Sequence, residues 1–107
     1  MGGIALIDET KEAELILRRL QPLFTAQWHC QYRLDVVNNQ YGHVFNFFLD
    51  IQRKNHRERS IPLHSLRTTD LAVLERVLNQ VRQGTALTLH FVDFGRVRWP
   101  LSQRWIR

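Results

Sequence analysis

The sequence predicts an α+β fold, with two amphipathic helices packed on one face of an antiparallel sheet of about four strands. Three observations carry this expectation. Apolar residues recur at three-four spacing in two windows, Ala13–Leu20 and Leu71–Val81. They alternate with period two between Ala26 and Ile51. Proline, glycine and asparagine interrupt the patterns where one element should give way to the next.

Asp8 or Thr10 can cap a first helix running to about Leu20, with acids at its start and Arg18 and Arg19 at its end, as the helix dipole favours. Ala13, Ile16, Leu17 and Leu20 form its apolar stripe, Gln21-Pro22 closes it, and Phe24 is expected to pack beneath its exit. Ala26, Trp28, Cys30, Tyr32, Leu34 and Val36 then alternate with polar residues as one strand. After the turn-forming Asn38 to His43, Phe45, Phe47, Leu49 and Ile51 make a second. A hairpin pairing Val36 with Phe45 puts both apolar sets on one face, and registers shifted by two residues do the same. Ile61-Pro62-Leu63 suits a short edge strand. Thr69 or Asp70 caps the second helix, whose stripe is Leu71, Leu74, Val77, Leu78 and Val81, and Gly84 stands where a left-handed C-terminal residue is expected. Ala86 to Phe94 reads as a strand, and Gly95 as a bulge or as the turn into a short strand at Val97 to Trp99. If Gly3 to Ile7 is also a strand, the order is the β-α-β-β-α-β of ferredoxin-like folds.

The 107 residues suit a single domain, 1–107, without an internal repeat or linker. The apolar fraction of 44% and charged fraction of 23% are those of a globular chain rather than a disordered one. Cys30 stands alone, so no intrachain disulfide forms, and a reducing, cytoplasmic location follows as the simpler expectation. The apolar start Ile4 to Ile7 ends at Asp8-Glu9, too short for a signal peptide or membrane span, so no membrane association is expected. The net charge of +5 favours an acidic partner. Thirteen of the fifteen cations are Arg, a bias that phosphate recognition and a GC-rich genome both produce.

Five histidines fit no zinc pattern, and His29 and Cys30 are strand neighbours pointing to opposite faces, so neither a metal site nor a cofactor is assigned. His29, Arg33, Asp35 and Asp50 project from the polar face of the hairpin, where His90 could join them. Such a set can do acid-base work, but cross-strand charge pairing is the plainer reading, and no motif of a known enzyme class is present. No catalytic residue is assigned. Tyr41 to Phe48 lacks the aromatic an RRM strand wants where His43 stands, and Arg67 to Asp70 is not the basic cluster that opens the last helix of a double-stranded-RNA-binding domain, so neither family is inferred.

Two basic segments remain. One is Arg53, Lys54, Arg57 and Arg59, opposed only by Glu58; the other is the C-terminal run with Arg96, Arg98, Trp99, Arg104 and Trp105. Arg neutralises phosphate and Trp stacks on bases, so these residues are the expected contacts of a non-enzymatic binding module whose first candidate partner is nucleic acid. An acidic protein partner, or homo-oligomerisation through the aromatic tail, is the alternative. A third reading has Trp99 and Trp105 simply pinning the chain end to the core.

Overall fold

The structure is a computed structural model that describes residues 7–24 and 29–107. The expected strand at Gly3 to Ile7, apart from Ile7, and the opening of the strand expected from Ala26 lie outside the described residues. Trp28, counted there among the inward-facing positions, does so too.

Helix α1 (Glu9–Leu20) begins at Asp8, whose carboxylate accepts the backbone N–H of Lys11 at 3.1 Å. This satisfies one of the donors left open in a first turn. Ala13, Ile16 and Leu20 are buried, as their spacing requires. Four strands follow, β1 (Cys30–Asn39), β2 (Val44–Arg53), β3 (Arg59–Leu66) and β4 (Thr88–Val92), with α2 (Leu71–Gly84) between the last two. Asp70 caps α2 by accepting from Ala72 N–H at 2.9 Å.

The sheet order is β3-β2-β1-β4. It is mixed rather than antiparallel: β1, β2 and β3 form an antiparallel meander, but β4 pairs with β1 in parallel. Helix α2 is the cause. A helical crossover returns the chain to the end of the sheet where β3 began, so β4 runs the same way as β3 and β1. The hairpin register also differs from the expected one by two residues, with Val36 opposite Phe47 and Asn38 opposite Phe45. Both strands extend further into the turn than expected, because Asn39 Oδ1 accepts the N–H of Gly42 at 3.0 Å and closes a tighter connection. The shift preserves the apolar face. On the polar face it sets Arg33 directly across from Asp50.

Strand β3 is an edge strand, as Pro62 suggested, but eight residues long. The pairing slips between Phe47 and Phe48, leaving Leu63 as the extra residue. Arg19 of α1 donates to the carbonyl of Leu63 at 2.8 Å, and its neighbour His64 meets both Arg19 and Glu12. The irregularity is thus held by the helix above it. Gly84 ends α2 without left-handed geometry, contrary to its expected role. A side chain there would meet Leu17 Cδ1 at 2.5 Å, so Gly84 lets the two helices approach. Phe24, expected to be covered, is exposed and meets Tyr32 edge-on at 4.9 Å.

Leu34, Val36, Phe45, Phe47, Leu49 and Leu66 form one core with the stripes of both helices. The opposite face of the sheet carries Arg33, Asp35, Asp50 and His90, and among the described residues no helix covers it. No described helix is long and apolar enough to cross a membrane.

Candidate functional site

Beyond β4 the chain turns at Gly95, whose φ of +65° suits glycine, and folds into a small closed loop. The N–H of Trp99 donates to Arg104 O at 2.8 Å, that of Gln103 to Trp99 O at 2.9 Å, and that of Ile106 to Val97 O at 3.1 Å. Arg98 and Trp105 face each other as an antiparallel bridge. Trp99 and Ile106 are buried, Trp99 edge-on to Phe91 at 5.4 Å. The tail is therefore a docked part of the fold.

Its anchor is a residue that the sequence pattern did not single out. Glu75 is buried in α2, and its two oxygens accept the N–H groups of Leu101 at 2.7 Å and Ser102 at 2.9 Å. Paired with two donors, the carboxylate tolerates burial that it would otherwise resist. Between α2 and this tail lies a cleft of about 590 Å³ whose lining includes Asn79, Arg82, Ser102, Arg104, Trp105 and Arg107. Arg82, Arg104 and Arg107 are exposed and form no salt bridge with any described residue. The acid that lines the cleft, Glu75, is spent on backbone donors. Trp105 is 47% exposed, with the guanidinium carbon of Arg98 4.5 Å from its ring centroid.

Of the residues expected in the tail, Arg104 and Trp105 line this cleft, Arg98 stacks on Trp105, and Arg96 is exposed beyond Gly95. Trp99 lines the cleft wall but belongs to the core, 7% exposed. It has too little free ring for base stacking, which answers the third reading for Trp99 and leaves Trp105 outward. Arg82 was missed, and Arg107, though within the expected basic tail, was not named among its contacts. Glu75, Leu78, Asn79 and Arg82 fall at i, i+3, i+4 and i+7 on α2, a stripe that carries a second, polar continuation of its buried face.

The other basic segment joins β2 to β3. Arg53, Lys54, Arg57 and Arg59 are all exposed and free of salt bridges to described residues. Arg53 pairs with Cys30 at the start of β1, and Lys54 N–H donates to His29 O at 2.9 Å. The tail leaves from beyond Val92, which pairs with Val37 near the far end of β1. The two segments thus depart from near opposite ends of β1, roughly 23 Å apart along it, and from opposite edges of the sheet.

The polar face forms a third arrangement. Arg33 meets Asp35 through Nε at 2.9 Å, and Asp50 and Glu58 through one Nη at 2.9 and 3.4 Å; His90 Nδ1 lies 3.2 Å from Asp35. Partial desolvation works against the charge of Arg33, but Asp35, Asp50 and Glu58 outweigh it and raise its pKa. Four of the five residues expected on this face converge. His29 instead precedes β1 with a φ of 63°, and Glu58, a loop residue without strand periodicity to place it, completes the cluster. Among the described residues no group of three His, Cys, Asp or Glu side chains is placed to hold a metal ion.

No protein-family model, curated protein or solved structure matches this chain.

Proposed function

We propose that this chain is a non-enzymatic module that binds nucleic acid, with the cleft between α2 and the tail as its main contact and the β2–β3 loop as a second, separate one. The observation that carries this reading is the set of three Arg side chains without salt bridges to described residues, beside a half-exposed Trp on a docked tail. Guanidinium forks match phosphate oxygens, and an indole offers a stacking face to any base. Because Glu75 and the buried Trp99 and Ile106 fix the tail beforehand, little ordering cost is left for binding. With one cysteine and no disulfide to protect, a reducing compartment such as the cytoplasm suits the module.

The test is fluorescence anisotropy with labelled single-stranded and duplex DNA and RNA at low salt. Binding should weaken steeply as salt rises, since each neutralised phosphate releases counterions. Replacing Arg104 and Arg107 together with Glu should weaken binding to all sequences and flatten the salt dependence. The pair Arg57→Glu and Arg59→Glu measures the share of the loop independently. Absence of measurable affinity for all four probes rejects the proposal.

One observation favours a second reading. Leu101 is 54% exposed on the rim of the same cleft, beside Trp105. Aromatic and Arg side chains around an apolar contact are also what protein interfaces are made of, so self-association in light scattering, without nucleic-acid affinity, would assign the cleft to a protein partner or a second copy.

A further inference from the structure

Asp50 is buried on the face of the sheet that no described helix covers, and its Oδ1 is the only buried side-chain oxygen or nitrogen among the described residues without a hydrogen-bond partner. Its other oxygen lies 2.9 Å from Arg33 Nη2, and Glu58 Oε1 lies 3.4 Å from that same nitrogen. Arg33 Nε is spent on Asp35. Every element of the sheet bears on this point. Arg33 and Asp35 come from β1, Asp50 from β2, Ser60 of β3 stands opposite Asp50, and β4 sets Thr88 opposite Arg33 and His90 against Asp35. Among the described residues Arg33 is the one guanidinium facing three carboxylates. A buried carboxylate oxygen with no donor is costly, and Arg33, whose charge lies between Asp50 and Glu58, is shared with Asp35 and so offsets the repulsion between those two carboxylates only in part.

We propose that a proton shared by Asp50 and Glu58 removes the remaining repulsion, with the Glu58 carboxyl donating to Asp50 Oδ1, and that it fastens the β2–β3 connection to the sheet. When Glu58 ionises, the proton passes to solvent and the donor to Asp50 is lost. The two negative charges then push the start of β3 away from β2, where Arg59 pairs with Ile51 and Ser60 with Asp50. The acidity of Glu58 agrees: a hydrogen bond to Asp50 and then repulsion by the Asp50 charge raise its pKa above the ordinary Glu value, against the opposing pull of Arg33. The loop so fastened holds the exposed Arg53, Lys54 and Arg57. The latch does not depend on what those cations bind.

The experiment is a carbon-detected NMR titration of the side-chain carboxyls of the full chain, followed together with the backbone amides of residues 56–60. The Glu58 carboxyl should titrate above the range of an unperturbed Glu, and the amides should move with the same midpoint. In Asp50→Asn the Glu58 midpoint should fall to the ordinary range. In Glu58→Gln, an exposed change that retains an N–H donor for Asp50, the amides should hold one position through that pH range. A wild-type Glu58 that titrates in the ordinary range, or amides that do not follow it, would overturn the proposal even if the Asp50 variant failed to fold.

Discussion

The Arg residues of the tail cleft and the Arg of the open sheet face meet opposite fates. Arg33 is saturated by Asp35, Asp50 and Glu58, whereas Arg82, Arg104 and Arg107 meet no carboxylate among the described residues, because the one buried acid nearby is occupied by backbone N–H groups. The difference teaches that an excess of Arg says little until each carboxylate has been placed. One region uses its cation to hold strands together, and the other leaves its cations without a carboxylate partner among the described residues.

The sharpest way to break this contrast is to remove the sheet that both regions share. Phe47 is fully buried, and Phe47→Asp should cost several kcal/mol against a total of about 5 to 15, unfolding the domain in circular dichroism and erasing both regions together. Glu75→Ala should act on the tail alone. Losing two hydrogen bonds to a charged acceptor should cost about 3 kcal/mol in urea denaturation and expose the tail to protease, with Glu75→Gln milder because it retains one acceptor oxygen. Arg33→Met should destabilise by about 2 kcal/mol, less than a fully buried pair because the side chain of Arg33 is itself partly exposed, and should leave nucleic-acid affinity unchanged. Trp105→Ala should do the reverse. Stability should hold within about 0.5 kcal/mol for an exposed residue, while single-strand affinity falls by about 1 kcal/mol and duplex affinity changes less. The smallest effect is on pH. The folded chain protonates Glu58 more readily than the unfolded chain does, so its contribution to stability is greatest below the ordinary Glu pKa and declines as pH rises through the raised value. Denaturation midpoints should show this slope in wild type and lose it in Glu58→Gln.

Much of this was legible in the sequence wherever a repeat carried it. The period of two placed Arg33, Asp35 and Asp50 on one face and Leu34, Val36, Phe45 and Phe47 on the other, and the three-four spacing found both helix stripes with Asp8 and Asp70 among their caps. Register was not fixed by the same signal, because shifts of two residues keep the faces matched, and the deciding contact is one side-chain bond from Asn39. The direction of β4 was equally invisible, since strand composition does not record which neighbour a strand will find. Glu75 sits between Leu74 and Val77 with nothing in its spacing to announce two backbone donors from the tail. Glu58 belongs to a loop, where no period applies. In the tail Trp99 is core while Trp105 faces outward, a division the sequence does not announce because Trp is equally at home in both.

The parallel pairing of β4 with β1 sets an order of events during synthesis. Arg33 lies opposite Thr88, so the growing chain carries the meander β1–β2–β3 for the whole stretch through α2 before the strand that completes the sheet leaves the ribosome. At about 5 to 20 residues per second that interval lasts seconds, during which β1 presents an unpaired edge beside an unfinished core. The edge is guarded by the alternating charges of Arg33 and Asp35, so the residues that bind one another in the finished sheet also discourage stray strand pairing while it is being made.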